Sequence, residues 1–311
     1  MTKMKTIFAV IFLALLILVL LAAPESEAKV YRGKYANNTK WSYDTKTKTV
    51  IIECRGELPD DHHGSAGWRD YYLKAKKVIF KKGITSIGAG AFYNFQKLEE
   101  VVLPEGLKTI KDSAFFTCIR LKKINVPTSL RTIGASAFSE TEFNAFSLER
   151  VKKIGNMCFS GSKIKEVYLS KDCRTSSLVF WGSEDLKKVT IEKGVKKISY
   201  GMFCDTALKT IDIPGSVFQI GEDAFADCKK LQKVTLHEGI KKVGKNAFYN
   251  TSLKEITIPS TVTKLGKNAF RWESTEKSSL KKVVIRSKNI KKWGTMVFGA
   301  TRDDLVIYVP Q

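Results

Sequence analysis

A phenylalanine recurs along most of this 311-residue chain at a nearly constant interval. Spacings between neighbouring anchor phenylalanines are 23, 23, 21, 21, 23, 22, 23, 22 and 28 residues. An apolar residue, usually followed by glycine, precedes the phenylalanine by five positions, as in Ile220-Gly221 before Phe225. Such a period indicates stacked units, each of which buries its apolar face against its neighbours. The predicted structural core contains Phe92, Phe115, Phe138, Phe159, Phe180, Phe203, Phe225, Phe248, Phe270 and Phe298.

A second signature, LxxVxL with conservative exchanges, lies between the anchors, for example at Leu208, Ile211 and Ile213. Its last positions alternate, which predicts a short strand with one face turned inward. Five of the seven prolines directly follow this strand, where the missing N–H ends strand pairing. Parallel stacking at about 4.8 Å would join these strands into one core. The sequence therefore predicts a mainly β solenoid of about ten turns.

The N-terminal segment is typical of a secretory signal peptide. Lys3 and Lys5 precede an unbroken apolar run over residues 7–21, and Ser26-Glu27-Ala28 supplies small residues for cleavage. An uncleaved membrane anchor is the alternative, but this run is shorter than the roughly 20 residues that span a bilayer. We expect residues 1–28 to be removed, so that the exported chain begins at Lys29 and has no membrane span.

The combined pattern LxxVxLPxxLxxIGxxAFxxCxxL resembles the BspA-type (Treponema pallidum type) leucine-rich repeat of secreted and surface bacterial proteins. Residues 41–60 also resemble the cap that often precedes such repeats. The resemblance implies a right-handed leucine-rich-repeat solenoid of 21-23-residue repeats, with short parallel strands, short helical turns and caps at both ends. We expect a cap over residues 29–74 and a solenoid over 75–311 that ends in a capping strand. Residues 175–178 lack the Ile-Gly pair, and residues 271–279 form an insertion.

Cysteine and histidine are the residues that could carry chemistry. Cys118 and Cys228 each follow an anchor phenylalanine by three positions, where other repeats have Thr or Ser that can donate to backbone carbonyls. They lie five repeats apart, about 24 Å, which is too far for a disulfide. Pairing among the other four cysteines stays open. His62 and His63 lie in a loop and lack a further ligand cluster. We therefore predict no enzyme activity, metal or cofactor.

The strand position between the two core residues predicts a concave binding surface. The alternative is that Thr and Val at this position are simply good strand formers. Trp272, beside Arg271 in the insertion, is another candidate anchor. The candidate ligand-binding residues are Tyr168, Thr190, Asp212, Thr235, Thr257 and Tyr308.

Lysine is placed as regularly as the core residues. The chain has 53 Lys and Arg against 31 Asp and Glu, a formal net charge of +22. Lysines precede both the LxxVxL strand and the Ile-Gly pair, so stacking predicts charged columns with like-charge repulsion. These columns could bind a polyanion, or form a solvated surface that prevents solenoids from associating. The candidate polyanion-binding residues are Lys123, Lys187, Lys188, Lys233, Lys281 and Lys282.

These features favour a secreted or cell-surface protein that is a monomer and binds an extracellular protein through the concave face. The alternative is a surface protein that binds an acidic polysaccharide through its lysine columns. Neither hypothesis requires a small-molecule substrate. The salt dependence of binding distinguishes the two hypotheses, because charge-driven binding weakens as ionic strength rises.

Overall fold

The computed structural model describes residues 27–61, 64–273, 279–299 and 304–311. Within these ranges the chain forms 24 strands and one 3-10 helix, Gly67–Tyr71. The strands are β1 (Val30–Tyr35), β2 (Thr39–Asp44), β3 (Thr49–Glu53), β4 (Gly56–Glu57), β5 (Lys77–Phe80), β6 (Ile84–Ile87), β7 (Glu100–Val102), β8 (Thr109–Ile110), β9 (Lys123–Ile124), β10 (Thr132–Ile133), β11 (Lys153–Ile154), β12 (Glu166–Leu169), β13 (Arg174–Thr175), β14 (Lys188–Ile191), β15 (Lys197–Ile198), β16 (Thr210–Ile213), β17 (Gln219–Ile220), β18 (Lys233–Leu236), β19 (Lys242–Val243), β20 (Glu255–Ile258), β21 (Lys264–Leu265), β22 (Lys282–Ile285), β23 (Lys292–Trp293) and β24 (Val306–Tyr308).

Strands β1 to β3 form an antiparallel meander that leads into the repeats. Strand β2 pairs with β1 and with β3 in antiparallel fashion, and β3 then pairs in parallel with β5. The sheet order β1-β2-β3-β5-β7-β9 runs through the expected boundary at residue 74 without a break. The cap is thus joined to the solenoid by backbone hydrogen bonds as well as by side chains.

The LxxVxL signature forms a column of parallel strands that we call the first sheet, from β5 to β24. Its pairings include β12 with β14, β16 with β18, β20 with β22, and β22 with β24. The ladder is interrupted between β14 and β16 and between β18 and β20. It is also interrupted between β9 and β12, where the intervening repeat contributes Phe143 and Phe146 instead. Their ring centroids lie 5.5 Å from that of Phe138 and 5.2 Å from that of Phe159, respectively. The predicted mainly β solenoid with parallel strands is confirmed.

The Ile-Gly signature forms a second column of parallel strands, which the sequence did not predict. This second sheet has the orders β4-β6-β8-β10-β11-β13 and β15-β17-β19-β21-β23. Its glycines allow neighbouring turns to approach closely: a Cβ on Gly244 would lie 2.6 Å from the backbone nitrogen of Glu222. Most repeats therefore contribute two strands rather than one.

The third side of each repeat is a turn around the anchor phenylalanine, where the sequence led us to expect a short helix. Ser136 and Glu140, two residues on either side of Phe138, have φ angles of 51° and 58°. This left-handed backbone is incompatible with a continuous right-handed helix. The turns bond to the next repeat instead, as in the Phe138 N–H that donates to the Cys158 carbonyl at 2.9 Å.

The anchor phenylalanines form a continuous stack through the solenoid. From Phe92 to Phe298, neighbouring ring centroids lie between 5.2 Å and 5.8 Å apart, with interplanar angles from 1° to 19°. Such offset stacking is a favourable arrangement of aromatic rings. All of them are buried except Phe298, which is half-buried. At this C-terminal end the three residues of β24 are also exposed.

Several predictions fall on residues outside the described ranges. These are residues 1–26 of the expected signal peptide, His62 and His63, and residues 274–278 of the insertion. In the described ranges, no helix is both long and apolar enough to cross a membrane.

Candidate functional site

The exposed face of the first sheet brings the candidate ligand-binding residues into one row. In β12, Val167 and Leu169 are buried whereas Glu166 and Tyr168 are exposed. Tyr168 lies opposite Thr190 in β14. The same register places Asp212 opposite Thr235, and Thr257 in line with Val284 and Tyr308. The row therefore extends over β12, β14, β16, β18, β20, β22 and β24.

Several candidate polyanion-binding lysines lie on this same face. Lys188 and Thr190 are two positions apart in β14, as are Lys233 and Thr235 in β18. Residues at i and i+2 of a strand point to the same side. Lys282 begins β22. Lys187 and Lys281 directly precede β14 and β22, and Lys123 lies in β9, on the other side of the interruption between β9 and β12. The two surfaces that the sequence suggested as alternatives therefore overlap in part, at Lys188, Lys233 and Lys282.

Opposite charges face each other at several places along the first sheet. The first residues of neighbouring strands pair Glu166 with Lys188, and Glu255 with Lys282. The Lys188 Nζ lies 3.1 Å from Glu166 Oε2. Earlier in the sheet, Lys77 Nζ lies 2.8 Å from Glu100 Oε1. At these positions cross-strand attraction replaces the like-charge repulsion that was expected, whereas Lys233 faces the uncharged Thr210.

A broad depression lies over the last full strands of the first sheet. It has a volume of about 1100 Å³ and is lined by residues of β18, β20 and β22, with Thr235, Thr257 and Val284 along its floor. At its margin the His237 Nε2 lies 2.7 Å from Asp212 Oδ1. Hydroxyl, apolar, imidazole and charged groups all line this depression. This chemistry suits a polypeptide surface, which presents the same mixture of groups.

Two tyrosines mark the ends of the row. Tyr168 is 42% exposed and Tyr308 is 54% exposed. Desolvation and the neighbouring Glu192 carboxylate raise the pKa of Tyr168, so its hydroxyl remains a donor at neutral pH. The Lys282 Nζ lies 5.7 Å from the ring centroid of Tyr308, within the range of a cation–π contact.

Two of the cysteines donate hydrogen bonds to the turns around the anchor phenylalanines. The Cys118 Sγ donates to the Phe92 carbonyl at 3.2 Å, and the Cys228 Sγ donates to the Phe203 carbonyl at 3.0 Å. Burial raises the pKa of Cys118 to about 12 and that of Cys228 to about 11, so both remain thiols at neutral pH. All six cysteines are free. The predicted structural role of Cys118 and Cys228 is confirmed.

Over the part of the chain that the structure describes, no group of three or more His, Cys, Asp or Glu residues could hold a metal ion. Trp272, the other candidate anchor, is half-buried.

The sequence analysis also missed a depression of about 700 Å³ where the cap meets the repeats, lined by Tyr31, Tyr43 and Tyr71. Aromatic clustering within residues 29–74 was the signal that could have indicated it.

Comparison with known proteins relates the repeats to a sequence family. The profile for the BspA type leucine-rich repeat region matches residues 70–178 and 175–277, with six copies of the repeat. A comparison with the curated proteins found no match.

Three solved leucine-rich-repeat structures are similar to this chain, and the first of them shares its fold. A leucine-rich repeat protein from Eubacterium ventriosum is 21% identical, with 85% of this chain and 73% of that chain covered and a TM-score of 0.61. The T. pallidum leucine-rich repeat protein is 19% identical, with coverages of 67% and 90% and a TM-score of 0.44. A leucine-rich cell surface protein from Faecalibacterium prausnitzii is 20% identical, with coverages of 82% and 88% and a TM-score of 0.38.

Proposed function

Because this chain belongs to the BspA type leucine-rich repeat family, we propose that it is a secreted or cell-surface protein that binds an extracellular protein. The binding surface in this proposal is the exposed face of the first sheet. The row from Tyr168 to Tyr308, which crosses seven strands, is the observation that carries the proposal. A solenoid presents such a row as an extended platform, so the chain acts by presenting a surface as a monomer and not by catalysis.

The chemistry of the face supports a protein partner. Two of its strand-leading lysines face a glutamate on the neighbouring strand, so the surface carries both signs of charge and is less suited to a polyanion. Tyrosine is enriched at protein interfaces, and both terminal tyrosines are exposed. The depression over β18, β20 and β22 can receive side chains from a partner, with Thr235 and Thr257 at its floor.

Arginine substitutions at the floor of the depression test this surface. A photo-crosslinking residue at position 235 is used to capture and identify a partner from serum proteins, which is then purified. We expect the double variant Thr235→Arg, Thr257→Arg to bind that purified partner at least tenfold more weakly, because the longer charged side chains fill the depression. Binding by the wild type should persist at 0.5 M salt, since screening acts mainly on exposed charges.

The second sheet supplies the matched control. Thr109→Arg, Thr132→Arg adds the same charge and bulk at strand positions of β8 and β10. This variant should change the affinity less than twofold. Equal weakening by both double variants, or collapse of wild-type binding at 0.5 M salt, would contradict a protein-binding face on the first sheet.

Export forms part of the same proposal, with Lys29 as the first residue of the mature chain. The Lys29 backbone nitrogen already donates to Thr45 Oγ1 at 2.9 Å, and β1 begins at the next residue. Cleavage after Ala28 would therefore leave the meander intact. N-terminal sequencing of secreted material is expected to start at Lys29. Recovery of a chain that retains residues 1–28 would instead favour a membrane-anchored form.

A further inference from the structure

The second sheet carries a row of basic residues whose charges do not alternate. Over its continuous part from β15 to β23, the first residue of each strand is a lysine in four strands out of five. We call this row the basic ladder, and it consists of Lys197, Gln219, Lys242, Lys264 and Lys292. Neighbouring strands lie about 4.8 Å apart, so the last three lysines stand side by side along the solenoid axis.

Additional lysines flank the basic ladder. Lys196, Lys241 and Lys291 directly precede its strands, and Lys245 and Lys267 follow two of them. Lys245 Nζ lies 2.9 Å from Glu222 Oε1, so the one carboxylate among the residues that line this region is already engaged. Within the described residues, Lys242, Lys264 and Lys292 have no ion pair. Like charges at strand spacing destabilise a sheet, whereas on the first sheet Glu166 and Glu255 are the cross-strand partners of Lys188 and Lys282.

An exposed indole lies at the end of the basic ladder. Trp293 follows Lys292 and is 52% exposed, although its partner Leu265 on the neighbouring strand is buried. A depression of about 430 Å³ is lined by Trp293 together with Lys264, Lys267 and Lys292. The flat apolar face of an indole can contact the C–H face of a sugar ring while the ammonium groups bind its acidic substituents.

We propose that the second sheet binds a linear acidic polysaccharide along the basic ladder, with one sugar ring on Trp293. The polymer supplies the repeated negative charge that the sheet lacks. This surface is separate from the protein-binding face of the first sheet, so both ligands can be held at once.

A nucleic acid fits this surface less well. Proteins that bind single strands stack successive bases on aromatic side chains. Here the exposed aromatics, Phe218 and Trp293, lie three strands apart, about 14 Å at strand spacing. The basic ladder from β15 to β23 also contains lysine and no arginine, and arginine is the side chain suited to bidentate recognition of phosphate.

The test compares two triple variants that remove equal charge from the two sheets. Lys242→Ser, Lys264→Ser, Lys292→Ser acts on the basic ladder, and Lys188→Ser, Lys233→Ser, Lys282→Ser acts on the first sheet. Binding of dextran sulfate and polygalacturonate is measured at 0.15 M salt, with neutral dextran as the blank. We expect at least a tenfold loss of affinity and a flatter salt dependence for the basic-ladder variant, and less than a twofold loss for the first-sheet variant.

A substitution of the indole separates a sugar site from simple charge attraction. Trp293→Ala is expected to weaken polygalacturonate binding at least threefold and to leave inorganic polyphosphate binding unchanged, because polyphosphate has no ring to stack. Thermal unfolding of each variant checks that the fold persists. Equal losses from both triple variants, or wild-type protein that binds neither acidic polymer at 0.15 M salt, would overturn the proposal. Tighter binding of single-stranded DNA than of either polysaccharide would overturn it in favour of a nucleic-acid surface.

Discussion

Replacement of Phe225 by alanine is expected to lower the free energy of unfolding by about 3 to 5 kcal/mol. The ring is fully buried, with centroids 5.4 Å from that of Phe203 and 5.2 Å from that of Phe248. Its removal leaves a cavity between two turns whose separation is set by the parallel ladders of both sheets. The neighbouring turns can therefore relax little into the space, which places this substitution in the costly range for core truncations.

Chemical denaturation of wild type and variants measures this loss. Phe218→Ala makes the same chemical change at a phenylalanine that is 41% exposed on the second sheet. It should change the stability by about 0.5 kcal/mol or less. Similar losses at the two positions would show that the stacked phenylalanines are not the main source of stability.

The contrast between buried Phe225, which belongs to the repeat period, and exposed Phe218, which does not, explains why the fold could be predicted from the sequence. A strict period of one large apolar residue specifies where each turn must bury its side chain, and this is independent of loop details. The Ile-Gly strands were missed because they are two residues long, as in β19 (Lys242–Val243), and two residues show no alternation. The sequence showed a glycine after each of these strands but not why glycine is needed there. The reason is the close backbone of the neighbouring turn, which becomes apparent only when the repeats are stacked.

The candidate surfaces were predictable only in part. The sequence placed Thr190 and Thr235 correctly on an exposed strand position, since alternation with buried neighbours specifies the face. It treated both lysines of Lys187-Lys188 as one column, whereas only Lys188 begins the strand and pairs with Glu166. A shift of one residue reverses the face of a strand, so the charge pattern depends on a register that the pattern of lysines alone does not supply.

The second sheet shows the same limitation in the opposite direction. Lysines before Ile-Gly pairs were recognised as a column, but their spacing contains no reason to rank them above those of the first sheet. The structure separates the two, because Lys188 has Glu166 beside it while Lys264 stands between Lys242 and Lys292. The cross-strand neighbours of each lysine, rather than the total charge, therefore distinguish the two faces.

The cap is attached to the phenylalanine stack by a residue that the sequence analysis did not single out. Trp68 lies in the 3-10 helix Gly67–Tyr71 and is fully buried. Its ring is stacked on Phe92, with centroids 5.9 Å apart and an interplanar angle of 19°, and meets Tyr35 edge-on at 5.2 Å. Its Nε1 donates to the Ala91 carbonyl at 2.9 Å. Trp68 therefore extends the stack by one ring and covers its N-terminal end.

Trp68→Ala is expected to lower the free energy of unfolding by about 3 to 5 kcal/mol, because a large cavity opens between the cap and the first repeat. Each unit of a solenoid contacts mainly its neighbours, so the loss should concentrate near the substitution. Hydrogen exchange should then show faster exchange for amides of β1 to β3, while those of β20 and β22 keep their protection. Trp181→Ala, at a tryptophan that is 43% exposed, is the matched control and should leave both regions unchanged. Uniform loss of protection along the chain would contradict a local anchor, and would mean instead that the solenoid unfolds as one cooperative unit whose stability depends on its N-terminal end.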